Sequence, residues 1–211
     1  MKTRDRILKT ALALFNESGE AGVSLAQIAA ALDISEGNLW YHFRTKRDLI
    51  AALLDELEQT IEQQHERPPA DPGNVSTYAD YSRQCFRTMW AYRFLYRARF
   101  DPGKDRELAE RRLAITVRGH HHSERHLTEM ARCKLLDASP SEIAELVTAD
   151  RIVSRYWFDY LQERYGLVQL SEADLQSGVK QIFALYRPYL SAAARAQIAA
   201  AMPPGRKAAR R

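Results

Sequence analysis

The sequence predicts an all-α chain. Apolar residues recur three and four positions apart through most of the 211 residues. Residues that favour helix N-termini precede these runs, and proline and glycine separate several of them. Signals for β-strands are absent throughout. Together, these three observations predict helices packed against helices, because amphipathic helices must bury their apolar stripes against one another.

The first helical pattern occupies the N-terminus and ends near residues 19–22. Ser24 then precedes an apolar run, with Gln27 three places on, so the two residues predict a capping box. Asp33 and Ile34 interrupt this second pattern, and Ser35 offers the next N-cap. The sequence therefore predicts a helix, a short turn and another helix.

The helix that follows Ser35 is too short to be stable alone, since isolated helices need about 12–15 residues. Leu39 and Phe43 are four apart and supply its docking face. Trp40 and Tyr41 cannot both share that face, because neighbours lie about 100° apart around a helix, so at least one ring points outward. The remaining residues are small or polar, as on a helix that meets base edges in the major groove.

Lys46 lies at the start of the next helix, which Thr45 and Asp48 cap. A cation there opposes the helix macrodipole unless an anion is nearby, and a helix N-terminus favours phosphate. The candidate DNA-binding residues are Ser24, Ser35, Glu36, Gly37, Asn38, Trp40, Tyr41, His42 and Lys46. Glu36 fits least well, because phosphates repel a carboxylate unless it accepts from a cytosine amine.

Net charge says little about DNA binding by itself. Of the net charge of +4, the tail Arg206, Lys207, Arg210 and Arg211 accounts for four positive charges. The first 50 residues carry seven basic and six acidic groups. DNA binding therefore depends on where the charges lie, for example at Arg44, Lys46 and Arg47. Residues 202–211 are expected to form a basic, disordered tail.

Composition indicates a cytoplasmic protein without a membrane span. Two cysteines, Cys85 and Cys133, argue against a disulfide framework and suit a reducing compartment. The N-terminus lacks the apolar segment of a secretory signal. No apolar run approaches the roughly 20 residues that cross a bilayer.

The chain changes character beyond residue 50. The helix from Lys46 continues to about residue 66 and stops at a proline-rich hinge. Further helical patterns occupy 78–99, 106–136, 141–165, the segment after Ser171, and a short alanine-rich stretch ending near 201. We therefore predict a helix-turn-helix domain at 1–50, a connecting helix to about 66, and a helical domain at 74–201.

Residues 4–54 resemble the DNA-binding domain of TetR-family transcriptional regulators. The resemblance rests on Ile7, Leu8, Ala11, Leu12 and Phe15 in the first helix, on Val23-Ser24, and on the string LWYHFRTKRDLI. It implies that Ser24 and Lys46 bind phosphates, and that Glu36, Gly37, Asn38, Trp40 and His42 contact bases or backbone. It also implies a C-terminal helical bundle for ligand binding and dimerisation, double-stranded DNA with a palindromic operator as partner, and release by an unidentified small-molecule effector.

Two further sets of residues are candidates in the C-terminal bundle. Aromatic and apolar residues at helical spacing suggest an effector pocket, although such stripes are usually core. Apolar groups spread widely around the last long helices suggest the interface of a homodimer. The pocket candidates are Tyr92, Phe94, Tyr96, His120, Met130 and Trp157, and the interface candidates are Ile152, Tyr156, Tyr160, Val179, Ile182, Phe183 and Tyr186.

Alternatives remain open. Activation and repression need the same helix in the groove, so a regulator that activates, or that needs no ligand, fits equally well. His122 and His126 have the spacing of zinc-binding helices, but a third ligand is not evident. A metal-dependent enzyme would also need a nucleophile with a base partner or a phosphate-binding loop. We therefore expect no catalytic residues, no metal and no cofactor.

Overall fold

The computed structural model describes residues 2–67, 70–98 and 101–201. These residues form ten helices and no strand, apart from an isolated bridge between Leu136 and Leu190. The all-α prediction is confirmed. The helices are α1 (Thr3–Ser18), α2 (Leu25–Ala31), α3 (Glu36–His42), α4 (Lys46–His65), α5 (Val75–Ala91), α6 (Arg93–Arg97), α7 (Arg106–Arg132), α8 (Pro140–Tyr165), α9 (Glu172–Tyr186) and α10 (Ala192–Ala201).

Two sequence predictions fall wholly or partly outside the described residues. The basic tail at 202–211 lies beyond them, and so do two prolines, 68 and 69, of the hinge. In the part of the chain that the structure describes, no helix is both long and apolar enough to cross a membrane.

Several helices begin at the serine or threonine that the sequence indicates. Ser24 Oγ accepts from the backbone N–H of Gln27 at 3.2 Å, and the Gln27 side chain accepts from the Ser24 N–H at 2.7 Å. Thr45 with Asp48 caps α4 in the same reciprocal way, and Ser171 with Asp174 caps α9. The predicted caps are present because they need only residues three apart in the chain.

The predicted helical segment at 78–99 is divided into two helices. Tyr92 leaves the helical conformation between α5 and α6. The Asn16 side chain donates to the Ala91 carbonyl at 2.7 Å and accepts from the Phe94 N–H at 3.0 Å. Asn16 thus supplies hydrogen bonds to backbone groups on both sides of the break.

The chain forms two compact units, and both are discontinuous in sequence. Unit 1 comprises residues 1–64 and 91–113, and unit 2 comprises 65–90 and 114–211. The boundaries inferred from the sequence, at residues 50 and 74, do not anticipate that 91–113 belongs with the N-terminal unit. One contact that holds this segment there is the ring of Phe94, which packs on Phe15 with centroids 5.1 Å apart.

Unit 2 is built around the packing of α8 on α9. Gly178 of α9 is buried, and a Cβ at this position would lie 2.9 Å from atoms of both Phe86 and Trp157. A larger residue would push these rings away, since contacts below 3.0 Å are repulsive. Gly178 therefore permits the close approach of α5 and α8 to α9.

Candidate DNA-binding surface and candidate effector site

A short turn connects α2 to α3, and the three elements form a helix-turn-helix. Asp33 adopts a left-handed conformation with φ of 54°, which aspartate tolerates better than most residues. Its N–H donates to the Ala30 carbonyl, and that of Ile34 donates to the Ala29 carbonyl, each at 3.1 Å. The end of α2 is therefore hydrogen-bonded, and α3 begins immediately afterwards at Ser35.

The faces of α3 are divided as the spacing predicts. Leu39 and Phe43 are buried in unit 1, and the Arg4 guanidinium lies over the Phe43 ring, 5.2 Å from its centroid. Trp40 is 53% exposed and Tyr41 is 85% exposed. Both rings therefore point outward, whereas helical geometry alone required this of only one of them.

The other candidate residues of α3 also lie at the surface. Glu36, Gly37 and Asn38 are exposed, and His42 is half-buried with its ring edge-on to that of Tyr41. A Cβ at Gly37 would meet only Ser35 Oγ, at 3.9 Å. Packing inside the protein therefore does not require a glycine here, and the surface has room for close approach by another molecule.

Two exposed serines cap the helices of this surface. Ser24 Oγ and Ser35 Oγ each accept a backbone N–H at 3.2 Å. A serine hydroxyl also carries one proton that it can donate. Both side chains are thus held in place while keeping a donor for an external oxygen.

Lys46 has a role that the sequence analysis did not foresee. Its Nζ donates to the carbonyls of Glu20 and Val23, at 2.6 and 3.0 Å. These bonds tie the loop between α1 and α2 to the start of α4. An ammonium group has three protons, so one remains for a phosphate.

Arg47 is engaged in ion pairs and does not extend the basic surface as the sequence suggested. Its guanidinium bonds both Asp105, at 2.5 Å, and Glu107, at 2.8 Å. The hydrogen bonds to these carboxylates raise the pKa of Arg47. Of the three basic residues near α3, Arg44 is exposed, Lys46 caps carbonyls, and Arg47 binds two acids.

A cluster of aromatic and imidazole rings lies inside unit 2. We call His65, His122, His126 and Tyr81 the histidine cluster. The His65 and His122 rings are stacked with centroids 3.9 Å apart, and His126 lies 4.1 Å from His122. Tyr81 lies 4.9 Å from His122 and 4.4 Å from His126.

Burial keeps these imidazoles neutral. Desolvation, together with nearby positive charges, lowers the pKa of His65 and of His126 to about 4 and that of His122 to about 2. Arg125 contributes to all three shifts, and its Nη2 lies 2.9 Å from Nδ1 of His122. The cluster is therefore uncharged at neutral pH, within a positive surrounding field.

The buried histidine of α7 is His122 and not the pocket candidate His120. His122 is 4% exposed, whereas His120 is only half-buried. Of the apolar residues that helical spacing places on one stripe of α7 with His120, Leu113 and Val117 are exposed, whereas Leu127 and Met130 are buried. The buried face of α7 therefore follows that stripe only in the C-terminal part of the helix, because the elements packed against each part decide which side is covered. His65 and Tyr81 lie far away in the chain, and periodicity alone gave no signal for them.

The predicted pocket residues are not brought together in one unit. Three belong to unit 1, where Phe94 is buried on Phe15 and Tyr96 lies under the Arg112 guanidinium. The other three, His120, Met130 and Trp157, belong to unit 2. The indole Nε1 of Trp157 is buried without a hydrogen-bond partner among the described residues.

The predicted interface residues also divide into two groups. Ile152, Tyr156 and Tyr160 follow one another four apart on α8 and are 47–58% exposed. The α9 candidates, in contrast, are buried within unit 2, which removes them from the accessible surface; they are Val179, Ile182, Phe183 and Tyr186. The apolar face of α9 is therefore covered by contacts within the chain, while its other side carries polar residues such as Gln176 and Gln181.

Among the residues that the structure describes, no three His, Cys, Asp or Glu side chains are placed to hold one metal ion. His122 and His126 are neighbours, as their spacing suggested, but the groups around them are His65, Tyr81 and arginines. The described part of the site does not complete the zinc pattern.

The fold and its exposed α3 define a helix-turn-helix protein with a helical C-terminal domain. The chain belongs to the TetR family of bacterial transcriptional regulators. Residues 7–53 match the family described as bacterial regulatory proteins, tetR family, and residues 56–198 match a family described as bacterial transcriptional repressor. It is thus a transcriptional regulator with a helix-turn-helix DNA-binding domain at its N-terminus.

Curated relatives match over short stretches. The regulator AcrR of Shigella flexneri is 37% identical over 60 residues, which is 28% of each chain. The tetracycline repressor class C of Escherichia coli is 31% identical over 90 residues, or 43% of this chain and 41% of the repressor. The matches therefore span less than half the length of these relatives.

Solved structures match over nearly the whole chain. A TetR-family regulator from Marinobacter aquaeolei VT8 has a TM-score of 0.83 and 28% identity, covering 95% of this chain and 98% of that one. AibR in complex with isovaleryl coenzyme A and operator DNA has a TM-score of 0.64, with 16% identity over 89% of this chain and 100% of that one. The likeness to AibR shows the fold alone.

Proposed function

We propose that this protein is a homodimeric repressor that binds a palindromic operator and is released from it by a small molecule bound in unit 2. The exposed face of α3 is the observation that carries the proposal. Trp40 and Tyr41 are large rings left in solvent, while Leu39 and Phe43 anchor the helix from behind. Such a surface suits recognition of DNA in the major groove. We assign the protein to the bacterial cytoplasm, where its operator DNA would lie.

On this surface we assign base readout to α3 and backbone contacts to the capping residues. Asn38 is exposed in the first turn, and its amide suits a bidentate contact with adenine. Ser24, Ser35 and Lys46 each retain a donor for a phosphate oxygen. Gly37 allows close approach, with Trp40, Tyr41 and His42 beside it. Glu36 is the candidate that phosphates would repel, unless it accepts from a cytosine.

For the second subunit we propose the exposed stripe Ile152, Tyr156 and Tyr160 on α8. Exposed apolar residues in a row, on the element that packs against α9, favour a helix-to-helix interface. The four buried α9 candidates are left to the core of unit 2. A two-fold dimer would present its two α3 helices about one DNA turn apart, roughly 34 Å, which requires a palindromic operator.

The link between effector and DNA is proposed to run through α4 and α7. α7 contributes residues to both units, and α4 contributes its last residue, His65, to unit 2. A displacement in unit 2 would be transmitted along these continuous helices. An effector acts only if it binds the released state better than the DNA-bound state. AibR, which shares the fold, has been solved with both isovaleryl coenzyme A and operator DNA.

Operator selection from random DNA tests the proposal. We expect one palindromic sequence to be enriched, with half-sites about one turn apart. Asn38→Ala should change which base is preferred at one position of each half-site, while the exposed Gln63→Ala should select the unaltered sequence. Enrichment of a non-palindromic site would contradict the dimer, and a uniform loss of affinity in Asn38→Ala would contradict base readout.

The two roles of Lys46 can be separated. Lys46→Ala should lower the thermal stability of the free protein, because the Glu20 and Val23 carbonyls lose their donor. If Lys46 also binds phosphate, the slope of log K against log salt should fall by about one unit per subunit. Lys9→Ala, an exposed change on α1, is the control. An unchanged salt slope would leave Lys46 only its structural role.

The oligomeric state is tested by light scattering. Tyr156→Glu places a charge within the exposed stripe of α8, so it should convert a dimer into a monomer and abolish binding to the full palindrome. Thr128→Glu on the exposed face of α7 should not. A wild-type monomer would refute the interface. A promoter-reporter assay with and without the protein then decides between repression and activation.

A further inference from the structure

The buried imidazole of His122 has one nitrogen without a partner. Arg125 Nη2 lies 2.9 Å from its Nδ1, and no group of the described residues bonds its Nε2. A guanidinium has only N–H groups and can only donate. Nδ1 must therefore accept, and a neutral imidazole then carries its proton on Nε2. The unpartnered atom is a buried N–H donor.

A buried donor is costly unless an acceptor reaches it. His122 is 4% exposed, so bulk water does not readily supply one. Trp157 Nε1, the other buried and unpartnered side-chain atom in the described residues, is also a donor. Unit 2 therefore holds two buried donors that lack acceptors among the described residues.

A positive charge lies close to His122. The Arg151 guanidinium packs on Gly119 of α7, where a Cβ would be 2.8 Å from Nη2. Gly119 and His122 are three residues apart and so share one face of the helix, about one turn from each other. Besides burial, the charge of Arg151 contributes to lowering the pKa of His122.

The neighbouring Asp150 does not cancel this charge by direct pairing. Its carboxylate accepts from Ser154 Oγ at 3.2 Å. Burial raises the pKa of this carboxyl, and the nearby Arg151 opposes that shift. Arg125 and Arg118 add further positive charge around the histidine cluster. Such a field favours an anion and opposes a metal cation.

We propose that the effector of this protein is an organic acid, whose carboxylate accepts the Nε2–H of His122 and is balanced by Arg151. The His65 ring is stacked on His122 and the Tyr81 ring is tilted against it, so uncharged aromatic surface beside the donor would accommodate an acid with an apolar body. This inference rests on the proposed function, because it assigns the chemistry of the effector in unit 2.

Direct binding to the purified full chain tests it without DNA. The probes are straight-chain, branched and aryl carboxylates of about four to twelve carbons, each with its primary amide and its amine of equal length. We expect carboxylates to raise Tm, and the matched amides and amines to bind at least tenfold more weakly, since a charge-assisted hydrogen bond is lost.

Variants at His122 distinguish loss of the Nε2–H donor from a change in the shape of the site. Gln places an N–H near the position of Nε2, whereas Asn reaches only the position of Nδ1. His122→Gln should therefore retain carboxylate binding, and His122→Asn should weaken it about tenfold or more. Arg151→Gln should also weaken it. The controls, exposed His121→Gln and Arg187→Gln, should bind as the wild type does.

Three results would overturn the inference. Carboxylates across the whole panel could fail to shift Tm, or amides could bind as well as acids. Alternatively, Zn²⁺ alone could raise Tm in the wild type and not in His122→Asn, which would make the cluster a metal site. Operator selection is measured separately from acid binding. If this protein selects a palindrome but binds no acid, the inference about the effector is refuted and the DNA-binding proposal stands.

Discussion

Lowering the pH should destabilise the protein through the histidine cluster. In the folded state the pKa values of His65 and His126 are about 4, and that of His122 is about 2. In the unfolded chain each is about 6.5. The unfolded state therefore binds more protons as the pH falls below about 6.5, and stability decreases with decreasing pH. The loss continues to about pH 4 for His65 and His126, and lower for His122.

The size of the effect follows from the unfolded pKa. At about pH 5.5 an unfolded histidine is about nine-tenths protonated, while the folded rings remain neutral, which favours unfolding by about 1.4 kcal/mol per ring. Three rings contribute about 4 kcal/mol between about pH 7.5 and 5.5. This is a large part of the roughly 5–15 kcal/mol that stabilises a typical domain.

Urea unfolding at several pH values, at one protein concentration, measures this loss. His122→Gln replaces one ring by an amide that does not titrate. The loss between about pH 7.5 and 5.5 should then shrink by about 1.4 kcal/mol, whatever the variant does to stability at neutral pH. His121→Gln removes an exposed histidine from the same helix and is the control. If His122→Gln loses as much stability as the wild type, His122 is not held neutral by burial.

Other changes test the packing. Gly178→Ala should cost about 1–3 kcal/mol by pushing on the Phe86 ring, whereas Gly37→Ala, whose Cβ has open space, should cost little; equal Tm values for the two would refute the close approach. Phe94→Ala should cost about 3–5 kcal/mol in urea unfolding, and a loss below about 1 kcal/mol would mean that residues 91–113 are not anchored in unit 1. Ser139→Ala removes the N-cap of α8 and should lower the free energy of unfolding by about 1 kcal/mol. Unchanged urea unfolding would show that Ser139 does not stabilise the start of α8.

Features that depend on near neighbours in the chain were predictable. The caps at Ser24 and Ser171, the turn at Asp33 and the exposed rings of α3 all follow from residues within one turn of each other. Capping joins positions three apart, and exposure on a seven-residue helix follows from 100° steps around its axis. These interactions join residues that are close together in the chain, so they can be located from the sequence alone.

Features that depend on distant partners were not predictable. Helical spacing places the pocket candidate His120 on the apolar stripe of α7, but the histidine that the structure buries is His122. The partners that select the inward face, His65 and Tyr81, belong to other helices. Arg47 is similar, because its sequence neighbours give no sign of an acidic partner. Its partners Asp105 and Glu107 lie about sixty residues further along the chain.

The sequence by itself determined the all-α class, the caps at Ser24, Thr45 and Ser171, and the outward face of α3. Only the tertiary structure decided that the apolar face of α9 is covered within the chain, that residues 91–113 join the N-terminal unit, and that His122 lies buried with an unpaired N–H. The reason is physical. Capping and helical periodicity act between residues a few positions apart, whereas burial is set by whichever distant surface packs against a helix.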